Sequence, residues 1–211
     1  MSLEETTPRP APRTARGART RARLLQAAED VFATVGYPDA SIVRITELAG
    51  VALGTFYVHF TGKKEIFDEV VRDLSRRVRQ AMSAASSAAP DRLQAEREGF
   101  RAFFAFTAEH PALYRIIRQA EFVSPEVMRR HYDDICSGYA AGLDAAMGRG
   151  EIRGLDPEVA AWALMGAGEL IGMRWVLWER EGRIPEPVFE QLMALIEGAL
   201  APTPTTDGER T

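Results

Sequence analysis

Apolar residues recur along most of this chain at intervals of three and four positions, which is the period of an amphipathic helix. The first such run has its apolar positions on one stripe: Leu24, Ala28, Val31, Phe32 and Val35. Thr20 is a candidate N-cap for this helix, and Gly36 ends it. No segment shows the two-residue alternation of a strand, and there is no internal repeat. The pattern predicts an all-α protein.

Two short helices and one long helix are predicted after this run. Ser41 is placed to cap the first short helix, and Gly50 breaks it. Val51–Phe60 form the next element, and a long helix begins at Lys63 after a second break. Four apolar residues are expected to pack the short helices together: Ile45, Leu48, Phe56 and Phe60.

Five further helices are predicted after a linker of small residues at 83–90. Proline, serine and aspartate mark their starts, as expected for N-caps and first turns. The expected spans are 91–109, 111–122, 124 to about 148–154, 156–182 and 185–200. Together with the first four, they give about nine helices.

Charge is distributed unevenly, although the formal net charge is only −4. Residues 1–65 contain nine Lys and Arg against seven Asp and Glu, whereas the remainder contains seventeen against twenty-three. The N-terminal third is therefore the part expected to contact a polyanion. Six arginines and no acidic residue occur from Arg9 to Arg23. This segment is either a solvated tail or an arm that follows phosphates or enters a minor groove.

A single cysteine, Cys136, excludes an intramolecular disulfide and a cysteine zinc cluster, and it favours a cytoplasmic location. The longest apolar stretch, Val159–Trp178, contains Glu169 and Arg174. Charges are costly at bilayer depth, so a buried helix is expected there rather than a membrane span.

No enzymatic activity and no cofactor are expected. His131, Asp133 and Asp134 could be metal ligands, but such residues on one face of a helix are usually just solvated. Cys136 lies on a predicted helix without a glycine-rich turn beside it.

Two short helices around a glycine turn, after a longer scaffold helix, are typical of a helix-turn-helix. The motif needs a small residue at the turn, apolar packing and a free surface on its second helix for the major groove. Ser41–Phe60 and Gly62–Glu65 resemble the DNA-binding signature of the tetracycline-repressor (TetR) family. The resemblance extends over about Thr20–Val71, roughly a quarter of the chain.

The resemblance implies a transcriptional regulator that binds double-stranded operator DNA. It implies that Ser41 and Lys63 contact phosphates and that Thr55, Tyr57 and His59 lie on the recognition helix, and these side chains are suitable hydrogen-bond donors. The predicted DNA-binding residues are Arg19, Ser41, Arg44, Ala52, Leu53, Thr55, Tyr57, His59 and Lys63.

One departure from the family pattern affects the base-reading positions. Ala52 and Leu53 stand where many members carry a polar pair, so these side chains can touch a thymine methyl group but cannot hydrogen-bond a base. Arg44 is expected to supply part of the polar readout. The alternative for Tyr57 is a core aromatic with only its hydroxyl at the surface.

The resemblance also divides the chain into regions. It implies a disordered basic arm at 1–19, a helix-turn-helix domain at 20–66, a regulatory ligand-binding and dimerisation domain at 67–201, and a disordered tail at 202–211. The resemblance also implies a homodimer through the last two helices. The sequence agrees, since both helices are unusually apolar and the final one is apolar over more than one face. A thick monomer core is the alternative.

A small-molecule effector is implied for the regulatory domain. The predicted ligand-binding residues are Phe104, Tyr114, Arg118, Phe122, Tyr139, Trp162, Met165, Glu169 and Met173. For the apolar members of this set, ordinary core packing is the alternative. Gln119–Ser124 with its neighbouring arginines faintly resembles members that sense acyl-CoA or aryl-CoA thioesters.

The predicted function is that of a repressor released from a pseudo-palindromic operator by a small molecule. The alternative is a helical ligand-binding or scaffold module without sequence-specific DNA binding. An activator is also compatible with the sequence, since the sign of regulation depends on operator position.

Overall fold

A computed structural model describes residues 14–179 and 182–202, and within these ranges it contains nine α-helices and no strand. The all-α prediction is confirmed. The helices are α1 (Ala15–Asp39), α2 (Ile42–Ala49), α3 (Leu53–His59), α4 (Lys63–Ser86), α5 (Arg92–Glu109), α6 (Ala112–Val123), α7 (Pro125–Gly148), α8 (Pro157–Gly172) and α9 (Glu186–Leu200). No helix in the described ranges is long and apolar enough to cross a bilayer.

Helix α1 begins six residues earlier than predicted. Thr14, not Thr20, is the N-cap, and its hydroxyl accepts a hydrogen bond from Gly17 N at 3.1 Å. Thr20 lies inside the helix, where its hydroxyl donates to Arg16 O. The expectation of disorder is therefore wrong for residues 14–19, while residues 1–13 of the predicted arm lie outside the described residues. Gly36 interrupts α1 as predicted, with a φ of 79° that favours glycine.

The helix-turn-helix has the predicted caps. Ser41 Oγ accepts from Arg44 N at 3.1 Å, and Gly50 adopts a left-handed conformation, φ 62°, at the end of α2. Ile45, Phe56 and Phe60 are fully buried, as expected. Leu48 was predicted to join them and is instead 56% exposed. The buried arc of α2 passes through Ile45 and Ala49, and Leu48 lies to one side of that arc.

The described chain forms two compact units. The first contains residues 14–76 and 112–131, and the second contains residues 77–111 and the described residues from 132 onward. The sequence placed the boundary at 66/67 and assigned α6 to the C-terminal region. In the structure α6 packs on α1: Gln119 accepts from Tyr37 N at 2.6 Å and donates to Phe32 O at 3.3 Å.

The second unit has a core built from α5, α7, α8 and α9. Its buried members include Phe100, Phe104, Leu143, Leu164, Phe189 and Met193. A Cβ at Gly168 of α8 would lie 2.7 Å from Phe100 Cε1, so glycine allows these helices to approach closely. Arg97 of α5 pairs with Glu190 and Glu197 of α9 at 2.6 and 3.0 Å.

Two other boundaries differ from the predictions. Helix α4 continues to Ser86, so only the last residues of the predicted 83–90 linker are outside a helix. The helix expected at 156–182 is α-helical only to Gly172 and continues as a π-helical segment, Met173–Trp178. Residues 180–181 and 203–211 lie outside the described ranges.

Candidate nucleic-acid interface and ligand cavity

The exposed side of α3 is formed by residues 53, 54, 57 and 58, which we call the recognition face. Leu53 is 45%, Tyr57 46% and Val58 67% exposed, and Gly54 is also at the surface. These positions share one side of a helix, opposite Phe56. Phe56 and Phe60 fix the helix from within and leave this side free for a partner.

The predicted DNA-binding residues lie on or beside the recognition face. Ala52 is exposed at the N-cap of α3, while Thr55 and His59 are half-buried at its margins. Partial burial and the charge of Arg21 lower the pKa of His59 below its ordinary 6.5, so this imidazole is neutral at pH 7. Ser41 and Arg44 are exposed at the start of α2.

The arginines of α1 separate into two groups. Arg19 is exposed, as its predicted role requires. Arg21 pairs with Glu69 at 2.8 Å and lies over the Phe60 ring, and Arg23 donates to Ala49 O and Gly50 O at the helix-turn-helix turn. Two residues of the basic run therefore brace the motif, a function that the sequence alone did not reveal.

Lys63 has partners that its predicted role did not foresee. Its Nζ donates to Tyr37 O and Ala40 O, both at 2.8 Å, and to Pro38 O at 3.3 Å. The ammonium group also lies 4.5 Å from the centre of the Tyr37 ring. An ammonium group has three N–H donors, and the three carbonyl oxygens within reach belong to the last residues of α1 and its C-cap. Its predicted contact with phosphate stays a prediction, but the structure gives Lys63 a bracing function.

We expect Lys63→Met to lower the free energy of unfolding by about 1–3 kcal/mol, because it leaves three carbonyls without their charged donor. Urea titration followed by circular dichroism would measure the change. Arg44→Met is the matched control: it removes an exposed cation from the same surface and should change stability by less than about 0.5 kcal/mol. An unaltered unfolding midpoint for Lys63→Met would contradict the bracing function.

A cavity of about 340 Å³ lies in the second unit between α4, α5 and α7. Its wall combines apolar side chains, such as Met82, Phe100 and Ile135, with a few polar groups. The charged and phenolic residues at this cavity are Arg79, Arg92, Glu96, Asp134 and Tyr139. Mostly apolar walls with a few placed polar groups are typical of small-molecule sites.

Glu96 is the most deeply buried charged residue of the cavity wall, with 3% of its surface exposed. Arg92 Nε donates to its Oε1 at 2.6 Å, and the Tyr139 hydroxyl donates to its Oε2. Burial raises the pKa of Glu96 above its ordinary 4.5, against the opposing effects of Arg92 and Tyr139. Burial and the charge of Glu96 raise the pKa of Tyr139 well above 10, so its hydroxyl remains a donor.

The predicted ligand-binding residues do not share one cavity. Tyr139 lines the cavity at α4, α5 and α7, and Phe104 lines a smaller cleft of about 170 Å³ between α5 and α9. Trp162, Met165, Glu169 and Met173 lie on α8 and its π-helical continuation; Glu169 accepts from Tyr132 and Met165 lies against Cys136.

Three predicted ligand residues lie on α6, in the first unit. Tyr114 is buried there, whereas Arg118 and Phe122 are exposed, Phe122 to 84%. Neither described cavity has these residues in its wall. Arg92 and Glu96 were missed, although their i, i+4 spacing is the signal of a helical ion pair.

No group of three or more His, Cys, Asp or Glu side chains within the described ranges could hold a metal ion. His131 is buried, and its Nδ1 lies 2.6 Å from Ser75 Oγ. The hydroxyl of Ser75 also donates to Val71 O.

The geometry defines a helix-turn-helix protein with a separate ligand-sized cavity, and comparisons with known proteins agree. Residues 24–70 match the profile of "Bacterial regulatory proteins, tetR family". An uncharacterised HTH-type transcriptional regulator of Bacillus subtilis, YhgD, is 27% identical over 149 residues, or 67% of this chain and 76% of that protein. The activator FasR of Mycolicibacterium smegmatis is 34% identical over 112 residues, which is 51% of this chain but only 49% of the relative.

Solved structures show the same fold. The fatty acid degradation regulator FadR of Bacillus halodurans superposes with a TM-score of 0.76 at 18% identity, over 84% of this chain and 94% of that one. FadR of Bacillus subtilis, solved in complex with stearoyl-CoA, superposes with a TM-score of 0.74 at 19% identity, over 83% of this chain and 96% of that one. These proteins are named as transcriptional regulators or activators, not as enzymes. Residues 24–70 of this chain therefore form a DNA-binding domain of the tetR type, and the chain is similar over 67% of its length to an HTH-type transcriptional regulator.

Proposed function

We propose that the protein is a homodimeric repressor that binds a pseudo-palindromic operator and is released by a small molecule. The recognition face carries this proposal, because it is an exposed helix side held rigidly by Phe56 and Phe60. Two such faces, about 34–36 Å apart in a dimer, would enter successive major grooves on one side of the duplex.

Apolar side chains left at the surface of α8, its continuation and α9 support dimerisation. They are Val159, Trp162, Leu170, Trp178 and Leu195. The opposite sides of α8 and α9 are already buried in the core of the second unit. Helices that are apolar on both sides usually pack against a partner as well as their own core. We propose that a second copy of the chain buries these side chains in a four-helix interface.

The proposed effector is an anionic molecule whose apolar group enters the cavity, with an acyl-CoA or aryl-CoA thioester as the first class to test. Arg79 and Arg92 line the cavity, each paired with a carboxylate of the same wall, so an anionic ligand would take the place of Asp134 or Glu96 as the partner of an arginine. One FadR protein of similar fold is named for fatty acid degradation, and another was solved in complex with stearoyl-CoA. The volume of about 340 Å³ is near the lower end of the range for ligand pockets, about 300–1,000 Å³. Short acyl or aryl groups are therefore preferred over long chains.

Release of DNA requires that the ligand bind one conformation of the protein more tightly than the other. Helix α4 is suited to couple the two events, because it begins at Lys63 and carries Arg79 and Met82 of the cavity wall. Movement of α4 on ligand binding would disturb the carbonyl contacts of Lys63 and the position of the recognition face.

We expect the purified full-length protein to shift the DNA fragment upstream of its own gene in a gel assay. Affinity should fall steeply with salt, since phosphate contacts release counterions. Short-chain acyl-CoA or aryl-CoA should reverse the shift, and free CoA is the matched control.

Failure to shift any fragment of the source genome would contradict the DNA-binding proposal and favour a ligand-binding or scaffold module. A shift that persists with every thioester would overturn the effector class alone. Reporter expression that falls when the gene is deleted would identify an activator, as FasR is named.

A further inference from the structure

The recognition face is almost devoid of hydrogen-bonding side chains. All residues of α3 are described, and on its exposed side only the Tyr57 hydroxyl can donate or accept a hydrogen bond. Leu53, at the start of the helix, and Val58 are hydrocarbon, and Gly54 has no side chain. Ala52, the exposed residue before Leu53, adds one methyl group.

The adjoining surface of α2 extends this apolar character. Val43 and Leu48 are exposed at about half of their surfaces, and neither packs in the core of the unit. The polar groups between them are Arg44 and Glu47, both exposed. Only the arginine has the charge and the donors that suit DNA. The apolar residues are too exposed to be explained by packing within the described chain.

The edges of base pairs in the major groove present one apolar group, the 5-methyl group of thymine. Apart from the small C5–H of cytosine, the other features there are hydrogen-bond donors or acceptors, which leucine and alanine cannot satisfy. A helix that brings hydrocarbon side chains to the groove can distinguish thymine from other bases through that methyl group. Placed against donors and acceptors instead, the same side chains would remove water from them without compensation.

We propose that this protein reads its operator largely through thymine methyl groups, with Leu53 as the main reading residue and Ala52 beside it. The inference rests on the proposed DNA-binding function. It specifies the partner as duplex DNA whose half-sites carry thymines opposite the start of α3. Arg44 contributes the polar part of the readout, through a guanine or a phosphate.

The test begins with operator sequences selected by the full-length protein from random duplexes. Each thymine of the selected half-site is then replaced by deoxyuridine, which lacks only the methyl group. We expect a loss of affinity of about fourfold for each methyl group that Leu53 contacts, the factor typical of one buried methyl-sized group. Deoxyuridine outside the protected footprint is the control and should leave affinity unchanged.

Leu53→Ala and Leu53→Gln provide the protein side of the experiment. Leu53 is half-exposed, so both variants should fold, and circular dichroism checks that they do. Both should bind the thymine operator more weakly and lose their sensitivity to deoxyuridine at the contacted positions. Tyr57→Phe retains the hydrocarbon surface and should keep that sensitivity.

The possible outcomes separate the two proposals. If no duplex is selected from the random pool, the DNA-binding function itself is wrong. If duplexes are selected and deoxyuridine has no effect at any half-site position, methyl readout is overturned while DNA binding stands. Unchanged deoxyuridine sensitivity in folded Leu53→Ala would overturn the assignment to Leu53.

Discussion

Replacing Phe56 with alanine is expected to lower the free energy of unfolding by about 3–5 kcal/mol and to abolish measurable operator binding. Phe56 is fully buried and contacts Phe60, with ring centres 5.6 Å apart. Its removal leaves a cavity under α3, the short helix that carries the recognition face. Because α3 has only seven residues, it depends on this packing to remain helical.

Val58→Ala is the matched control for stability, because Val58 lies on the same helix and is 67% exposed. It should shift the unfolding free energy by less than about 0.5 kcal/mol. Urea titrations of both variants, with fluorescence anisotropy of a labelled operator, separate folding from binding. Phe56→Ala with the stability of the parent protein would show that the helix-turn-helix is not held by this core.

Replacing Arg92 with methionine is expected to destabilise the protein by about 3–5 kcal/mol at pH 7, the usual cost of leaving a buried charge without its partner. Arg92 is the cationic partner of Glu96, which keeps only the Tyr139 hydroxyl as a donor in the variant. By contrast, Arg79 pairs with Asp134 at the surface, and Arg79→Met should cost at most about 1 kcal/mol.

The sign of the pH dependence gives a second readout for Arg92→Met. Burial already raises the pKa of Glu96 above 4.5, and loss of the guanidinium raises this pKa further. The penalty is therefore small below pH 4.5, where Glu96 is neutral in both folded and unfolded chains. It should grow as the pH rises toward the raised pKa of the folded state.

Restoration by a second substitution completes the test of the Arg92–Glu96 pair. Arg92→Met with Glu96→Gln removes both charges, keeps an amide oxygen to accept from the Tyr139 hydroxyl, and should recover most of the lost stability. A double variant as unstable as Arg92→Met alone would show that the loss came from packing and not from an unpaired charge.

Local signals in the sequence were sufficient for most helix limits. Ser41, Gly50 and the start of α4 at Lys63 were predicted correctly because a cap or a left-handed glycine acts on backbone groups within a few residues. Thr20 was predicted as the N-cap of α1, but the helix continues outward to Thr14, and the residue type of a cap does not show how far a helix extends beyond it. Leu48 was misplaced because apolar spacing alone does not show which arc of a two-turn helix faces the core.

Long-range contacts were beyond such signals. The sequence did not show that Gln119 hydrogen-bonds to α1 or that Lys63 donates to carbonyls between Tyr37 and Ala40. It also did not show that the Tyr139 hydroxyl donates to Glu96, the carboxylate that Arg92 pairs with. The partners in these contacts are 23 to 82 positions apart in the chain. No local pattern encodes such pairings.

The sequence by itself determined the all-α class, the helix-turn-helix and the apolar character of Ala52 and Leu53, because each follows from residues close together in the chain. The tertiary structure decided which cations reach the surface, which carboxylate is buried beside a cavity and which apolar side chains remain exposed. Those properties depend on the burial and the partners that folding provides. Leu53 illustrates both: the sequence showed that its side chain is apolar, and only the structure showed that this side chain is exposed on the recognition face.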